Sequence, residues 1–353
     1  MKISKRTFTK LFLILTATGL ILIAGFMIFV DPYLHYHGTG GVFTYSLHNE
    51  FYQNAGILKN YEYEALIAGD SETQNFKASE VKEFFGYETV KLPNPGANYG
   101  ETDRVIRCAI KNNDELKLVI RPMDMIMLPK EWDSERYVST DWFLYDSNPF
   151  NDVKYVYDKE SIIDALKTVA YTRAGKEDTS MDDYSKFDFG NVFGDRTNLV
   201  NFYNTSKDFG FSGNPLELTA LVKDNVHNNI VLTAKENPDI DFYVFIPPYN
   251  IIYWKELKDN NCIDNELICE KTALEECLSC GNIHVFSFMN MKEIVTDWQY
   301  YSDEQHFCPD INSLILKKMS EKEYEITKDN LSDYLHDMEE FVKNYDYSTI
   351  LDE

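Results

Sequence analysis

Two short stretches, far apart along the chain, hold the residue types that acyl-transfer chemistry needs. The first, Leu66–Thr73, reads as a buried strand that ends at a glycine, with Ser71 where a following helix would begin. A serine at such a turn projects its hydroxyl clear of the sheet, and the unpaired N–H groups of the first helical turn can stabilise an oxyanion. The alternative is that Ser71 merely caps the helix predicted over Glu72–Phe85.

The second stretch, Tyr301–Phe307, places an acid three residues before a histidine. A serine hydroxyl is a poor nucleophile until a base takes its proton, and an imidazole needs a carboxylate to hold its tautomer and orientation. His306 is the candidate base and Asp303 is the candidate carboxylate. The pattern therefore predicts a triad of Ser71, His306 and Asp303, provided that the fold brings the two stretches together.

Taken together, the two stretches resemble the SGNH/GDSL hydrolase superfamily. Gly69-Asp70-Ser71 is similar to its first block, which supplies the nucleophile, and Asp303-x-x-His306 is similar to its last block, which supplies the acid and the base. The resemblance implies a serine esterase or O-acyltransferase that needs no cofactor. In the membrane-anchored branch, the implied partners are a cell-surface polysaccharide or teichoic-acid-like polymer and membrane-bound polysaccharide assembly proteins.

The resemblance covers about residues 60 to 320, and its middle blocks concern the oxyanion hole. It implies that the Ser71 amide works with the second-block glycine, for which Gly96 is the natural candidate. The third block usually carries an asparagine, but Asp124 stands in the equivalent strand and is a poor donor unless protonated. Asn98 is the candidate substitute. The missing asparagine favours an alternative, a catalytically inactive SGNH-like binding or scaffold protein.

An apolar segment near the amino terminus predicts a membrane anchor. Leu11–Val30 contains twenty uncharged residues and follows four basic ones. As a helix the segment would be about 30 Å long, which matches the hydrocarbon core of a bilayer. The basic flank predicts a cytoplasmic amino terminus and an extracytoplasmic main domain. A cleaved signal peptide is the alternative, but the run is longer than the apolar core of most such peptides and no small-x-small site follows it.

The charge of the chain excludes some partners. It has 34 basic and 58 acidic residues, which gives a formal net charge of −24. Because the four basic residues before the anchor are predicted to lie inside, the outer part would be more acidic still. Such a field argues against binding to nucleic acid or to anionic lipid.

The cysteines and two neighbouring histidines raise the question of a metal. Four of the six cysteines crowd into residues 262–280, where local disulfides are our first expectation and free thiols the second. Cys277-x-x-Cys280 alone is weak evidence of zinc, and His35 and His37 have no third ligand in view. We therefore predict no metal site. The six cysteines are Cys108, Cys262, Cys269, Cys277, Cys280 and Cys308.

The middle of the chain alternates between strand and helix patterns. Predicted strands are Ala65–Ala68, Thr89–Leu92, Leu118–Leu128, Phe242–Ile246 and His284–Phe288. Predicted helices are Glu72–Phe85, Glu101–Lys111, Ser161–Tyr171, Pro215–Ala234, Glu266–Cys277, Asp310–Met319 and Leu331–Tyr345. Several strands are nearly continuous apolar runs, which is typical of parallel strands covered on both faces. We expect an α/β fold with a three-layer, doubly wound, mostly parallel sheet, whose carboxyl edge would gather Ser71 and Gly96.

The alternation fails over one long stretch, which sets the predicted domain boundaries. Some 85 residues are too many for an ordinary connection, so an inserted subdomain is expected there. The predicted parts are a cytoplasmic tail (1–10), an anchor (11–30), an SGNH-like α/β domain (31–128 and 214–325), the inserted subdomain (129–213) and a C-terminal helix (326–353).

Overall fold

The computed structural model of the chain describes residues 4–136, 142–146, 148–187, 193–203 and 207–350. The described residues form two compact units. The first contains those up to residue 61 and those from 142 to 180, and the second contains those from 62 to 136 and from 181 onward. The stretch predicted as one insertion is thus divided: part of it belongs with the amino-terminal unit and part with the unit that holds the sheet.

The second unit is built on a six-stranded sheet. Its strands are β1 (Ala65–Gly69), β2 (Thr89–Pro93), β3 (Leu118–Pro122), β4 (Asp241–Ile246), β5 (Ile283–Ser287) and β6 (Glu325–Ile326). They lie in the order β2-β1-β3-β4-β5-β6; β1 to β5 are parallel, and β6 pairs antiparallel with β5. The predicted α/β class with a mostly parallel sheet is confirmed, and β6 is an addition that the sequence pattern did not predict.

Along the chain, the helices precede, separate and follow these strands. They are α1 (Lys5–Val30), α2 (Glu50–Asn60), α3 (Ala78–Phe85), α4 (Tyr99–Asn112), α5 (Val153–Val156), α6 (Lys159–Arg173), α7 (Arg196–Tyr203), α8 (Pro215–Val226), α9 (Leu232–Glu236), α10 (Ile251–Asp259), α11 (Ile263–Cys277), α12 (Lys292–Val295), α13 (Pro309–Ser320) and α14 (Leu331–Asn344). A π-helical turn, His227–Val231, joins α8 to α9.

Strand β1 is buried on both faces. Ala65 and Ile67 belong to a core that also holds Val81 of α3 and Ile315 of α13. The intervening residues of β1 are also buried, and because side chains alternate along a strand, they face the other side. Helix α4 contacts β1 and helix α11 contacts β5. Double burial explains why β1 reads as a continuous apolar run in the sequence.

Strand β3 is shorter than predicted. The apolar pattern predicts a strand over Leu118–Leu128, but the strand ends at Pro122. The carboxylate of Asp124 then accepts a hydrogen bond from the N–H of Ile126 and caps a 3₁₀ turn, Met125–Met127. The predicted length is therefore wrong, because a side-chain cap converts the second half of the apolar run into a turn.

In the first unit, helix α1 is long and apolar enough to cross a membrane, by length and composition. The chain turns sharply at its end, where Asp31 adopts a left-handed conformation with φ of 47°. The buried Asp31 carboxylate accepts hydrogen bonds from the N–H groups of His35, Tyr36 and His37 and from the hydroxyl of Tyr155. One carboxylate thus organises the whole turn that follows the apolar helix.

All six cysteines are free thiols, so the predicted local disulfides are wrong. Cys262, Cys269 and Cys277 follow one another along α11 and its N-cap. Seven or eight residues of helix separate neighbours in this series by roughly 10 to 12 Å, which is beyond the reach of a disulfide. Burial raises the pKa of both Cys269 and Cys277 to about 12, and these buried thiols are therefore unreactive.

A buried pair of carboxyl groups on α11 makes stability depend on pH. Burial raises the pKa of Glu270 to about 7, and burial together with repulsion from Glu270 raises the pKa of Glu266 well above its usual range. The hydroxyl of Tyr334 on α14 donates to Glu270. In the unfolded chain both groups would lose their protons near pH 4.3, so between that pH and about 7 the folded state binds more protons. The free energy of unfolding therefore falls as the pH rises through 7.

We expect the Tm of the full-length protein to be on the order of 5 °C lower at about pH 8.5 than at about pH 6. In the double variant Glu266→Gln/Glu270→Gln the fall should be smaller, because the amides do not titrate. The exposed Glu293→Gln is the control and should behave as wild type. Thermal unfolding followed by circular dichroism measures this, and equal falls in the double variant and the wild type would contradict it.

Candidate active site

Strand β1 delivers Ser71 to the carboxyl edge of the sheet through a tight turn. At Gly69 an added Cβ would lie 2.4 Å from the ring of Pro122, so only glycine fits there. The Asp70 side chain then accepts a hydrogen bond from the N–H of Glu72 and caps a 3₁₀ turn, Ser71–Thr73. The cap is therefore Asp70, and the alternative that Ser71 merely caps a helix is wrong.

The helix predicted to start at Glu72 begins later. Between the 3₁₀ turn and α3, which starts at Ala78, the chain is irregular. The buried Lys91 of β2 donates to the carbonyls of Gln74 and Phe76 in this interval. A side chain from the neighbouring strand thus satisfies backbone groups that a continuous helix would have paired internally.

The structure brings the three predicted side chains together in series. The Ser71 Oγ lies 2.8 Å from His306 Nε2, although the two residues are 235 positions apart. On the other side of the ring, His306 Nδ1 lies 2.7 Å from Asp303 Oδ2. Both distances are those of hydrogen bonds. The side chains are partly exposed, at 19% for His306 and 12% for Asp303, and so the site is reachable from solvent.

The loop that carries His306 is folded around Asp303. The other carboxylate oxygen, Oδ1, accepts hydrogen bonds from the N–H groups of Gln305 (2.9 Å) and His306 (2.7 Å). The ends of the loop are held by a bridge between Tyr301 and Phe307. Asp303 therefore fixes both the imidazole ring and the backbone that presents it.

The protonation of Asp303 determines the tautomer of the imidazole. Burial raises the pKa of this carboxyl. The hydrogen bonds that it accepts from the ring and the backbone of His306 and from the backbone N–H of Gln305, together with the charge of a protonated His306, lower the pKa by more. The pKa of Asp303 therefore lies below its usual range. An ionised carboxylate only accepts hydrogen bonds, so Nδ1 of His306 donates to it. In the neutral imidazole Nε2 is then an acceptor, and the Ser71 hydroxyl donates to it.

Ser71 opens into a cleft of about 740 Å³. The cleft is lined by Asp70, Ser71, Glu72, Gln74, Pro95, Gly96, Asp124, Met127, Arg136, Lys186, Phe187, Asn198, Ser302, Asp303, Gln305 and His306. Gly96, the candidate for the oxyanion hole, lines the same cleft as Ser71. Its backbone has a φ of +76°, a left-handed conformation that favours glycine. The Arg136 guanidinium lies against it and donates to its carbonyl oxygen.

Asn98 does not reach the cleft. It is the N-cap of α4, where its N–H donates to the carboxylate of Glu101 at 2.9 Å. Its side-chain amide nitrogen donates to the hydroxyl and the carbonyl of Ser134 at 3.0 and 3.2 Å. The structure therefore does not bring this predicted oxyanion donor to Ser71.

Three buried carboxyl groups form the floor of the cleft beside Ser71. Burial raises the pKa of Asp70 and of Glu72 well above the usual range; repulsion from Asp124 adds to the rise at Asp70, and repulsion from Asp70 and Asp124 adds to the rise at Glu72. Burial also raises the pKa of Asp124, whose carboxylate accepts a hydrogen bond from the hydroxyl of Tyr249 at 2.5 Å. The cleft floor therefore disfavours negative charge. All three acids are visible in the sequence, but no local pattern predicts that Asp124 lies in the same cleft as Asp70 and Glu72.

Arg136 and Phe187 are among the cleft residues that were not predicted as site residues. Both come from the stretch predicted as an inserted subdomain. The Phe187 ring lies parallel to the His306 imidazole, with ring centroids 4.2 Å apart and an interplanar angle of 12°. Both residues lie in irregular segments, where no regular spacing of residue types predicts which side chains face the cleft. Only the structure could therefore show that they line it.

Among the described residues, no group of three or more His, Cys, Asp or Glu side chains could hold a metal ion. His35 instead pairs with Asp152, with Nε2 and Oδ1 3.1 Å apart.

Comparison of the chain with protein-family models, with curated proteins and with solved structures finds no match.

Proposed function

We propose that this chain is a membrane-anchored serine esterase or O-acyltransferase with Ser71, His306 and Asp303 as its triad. The observation that carries the proposal is the continuous hydrogen-bonded series from the Ser71 hydroxyl through the imidazole to the Asp303 carboxylate. The series stands at the edge of an open cleft. A serine, histidine and carboxylate in this order are the parts of an activated nucleophile.

In the proposed mechanism the Ser71 Oγ attacks the carbonyl carbon of an ester while His306 Nε2 takes the hydroxyl proton. Asp303 stabilises the imidazolium that forms, and collapse of the tetrahedral intermediate transfers the proton to the leaving alcohol. Attack on the acyl-enzyme by water gives hydrolysis, and attack by a sugar hydroxyl gives acyl transfer. No cofactor enters these steps.

The oxyanion of the intermediate would be stabilised by the backbone N–H groups of Ser71 and Gly96. Both residues line the cleft. The φ of +76° at Gly96 favours glycine, and an added Cβ would lie 2.3 Å from an Arg136 guanidinium nitrogen, so the arginine side chain would have to move. Removing one oxyanion donor from a serine hydrolase typically lowers kcat about 10² to 10³-fold.

The variant Gly96→Ala tests this assignment. We expect kcat for p-nitrophenyl acetate to fall roughly 10²-fold, because the methyl group moves both the backbone and Arg136. The matched control is Gly86→Ala. Gly86 has a similar φ of +83° but no atom near the added Cβ, so this variant bears only the backbone strain. Equal kcat in the two variants would contradict a role for Gly96.

The substrate and the location of the site are part of the proposal. The substrate would be an ester of a cell-surface polysaccharide or teichoic-acid-like polymer, as in the membrane-anchored branch of the SGNH/GDSL superfamily, and the fold would be its three-layer, doubly wound sheet. The order of the two motifs supports this, as does a helix α1 that could anchor the chain. The basic flank of α1 favours a cytoplasmic amino terminus with the catalytic unit outside.

The test uses the full-length protein in detergent micelles with p-nitrophenyl acetate as the acyl donor. Release of p-nitrophenol that depends on Ser71 is the expected result. Adding a sugar polymer as acceptor then separates the two reactions: acetylated polymer indicates transfer, and acetate alone indicates hydrolysis. No turnover above that of the Ser71→Ala variant would contradict the proposal.

A second candidate is a catalytically inactive SGNH-like protein that binds polysaccharide or acts as a scaffold in its assembly. It is favoured by Asp124, which stands where the superfamily usually has a donor, and by Asn98, whose amide donates to Ser134. This candidate predicts polysaccharide binding that Ser71→Ala leaves unchanged, with no covalent labelling of the serine.

A further inference from the structure

The imidazole of His306 is held in its plane by more than the triad. A single hydrogen bond from Nδ1 to Asp303 fixes one atom of the ring but still lets the ring rock through small rotations about the side-chain bonds of His306. Such rocking would swing Nε2 away from the Ser71 Oγ. The Phe187 ring lies flat against the imidazole at a centroid distance of 4.2 Å, which removes much of this freedom.

Phe187 is itself tied to the segment that carries the nucleophile. Its N–H donates to the side-chain oxygen of Asn75 at 3.1 Å. Two residues earlier, the hydroxyl of Ser185 accepts a hydrogen bond from the amide of Gln74 at 3.0 Å. Asn75 and Gln74 directly follow the 3₁₀ turn that begins at Ser71. The segment that carries this ring is thus held by the side chains of the two residues that follow the turn of Ser71.

A third attachment lies at the start of the same segment. Asp182 accepts hydrogen bonds from both the N–H and the hydroxyl of Ser79, at 3.0 and 2.5 Å. Together with the bonds above, residues 182–187 form a strap, fastened at both ends to residues 74–79. Phe187 is also nearly buried, with 7% of its surface exposed, so its ring has little room to turn.

We propose that Phe187 is a positioning residue, which the 182–187 strap holds against His306 so that Nε2 stays directed at the Ser71 hydroxyl. This inference rests on the proposed function and adds to it a part that the triad lacks. In this role Phe187 affects the rate of the chemical step only by orienting His306 and does not contact the reacting atoms. Loss of the flat ring should therefore lower kcat and leave KM unchanged.

The test compares Phe187→Leu, which keeps apolar bulk without a flat face, with Phe187→Tyr, which keeps the ring. In the full-length protein with p-nitrophenyl acetate, we expect kcat to fall about tenfold in the leucine variant at unchanged KM and less than twofold in the tyrosine variant. The control is Phe209→Leu, because Phe209 is similarly buried, with 8% of its surface exposed, but packs at a tilt against Tyr253. A rise in KM alone, or equal losses in the variants at 187 and 209, would overturn the proposal.

A second readout needs no activity and so separates this inference from the proposed function. The Phe187 ring should shield the imidazole protons of His306, which are identified in the NMR spectrum by their loss in His306→Gln. In Phe187→Leu the resonances should move downfield by several tenths of a ppm, and in Phe187→Tyr they should stay near the wild-type positions. Unchanged resonances in the leucine variant would show that the rings do not stack and overturn the inference, whether or not the protein turns over esters.

Discussion

Replacing Ser71 with alanine should lower kcat/KM for p-nitrophenyl acetate by roughly 10³-fold or more. The hydroxyl is the nucleophile of the proposed mechanism, and the variant leaves only binding and the oxyanion donors to stabilise the transition state. Because the hydroxyl makes its hydrogen bond to His306 and does not cap the turn, its loss should change Tm little. Initial rates of p-nitrophenol release and thermal unfolding measure the two effects.

The control for this variant is Ser313→Ala. Ser313 is a helix α13 residue whose hydroxyl donates to Glu80 at 2.8 Å, and it does not line the cleft. This change should leave kcat/KM at the wild-type value. A Ser71→Ala protein that keeps more than about one tenth of the wild-type rate would be incompatible with a serine nucleophile.

Replacing Asp303 with asparagine should lower kcat about 10³ to 10⁴-fold with little change in KM. Oδ1 of Asp303 accepts two backbone N–H bonds, so the amide oxygen of asparagine should take that position. Its NH₂ group then faces His306 Nδ1, which must become an acceptor. The proton moves to Nε2, and the ring can no longer accept the proton of the Ser71 hydroxyl.

The matched control is Asp297→Asn, at a site where the side-chain oxygen accepts the N–H of Gln299. Asparagine makes the same hydrogen bond there, so activity and Tm should stay unchanged. Steady-state kinetics distinguish the outcomes for Asp303→Asn. A loss of less than tenfold, or a rise in KM at constant kcat, would show that Asp303 does not set the tautomer.

Local patterns in the sequence were enough to locate the five parallel strands of the sheet and the candidate nucleophile. The runs Ala65–Ala68 and Leu118–Ile120 are apolar at every position, which is typical of parallel strands buried on both faces. Gly69 and Ser71 follow such a run directly, and the structure places them at the turn where the strand ends. The predicted pairing of Ser71 with His306 depended on residue types and on a resemblance, and the geometry agrees with it.

The rest depended on contacts between distant positions, which no local pattern reports. Lys91, on the neighbouring strand β2, donates to two carbonyls in the irregular stretch where a helix was predicted after Ser71. The side-chain amide of Asn98 could donate to an oxyanion, but in the structure it donates a hydrogen bond to Ser134. Phe187 reaches His306 from an irregular segment whose aromatic residues carry no period. In each case a side chain far along the chain decided the outcome.

The proposed triad is tested most directly by covalent labelling of the full-length protein with a fluorophosphonate, followed by mass spectrometry of the labelled peptide. We predict a single adduct on Ser71 and labelling at least about tenfold slower in His306→Gln, where no base takes the hydroxyl proton. An adduct on another residue, or labelling of Ser71 at the same rate without the imidazole, would contradict the triad.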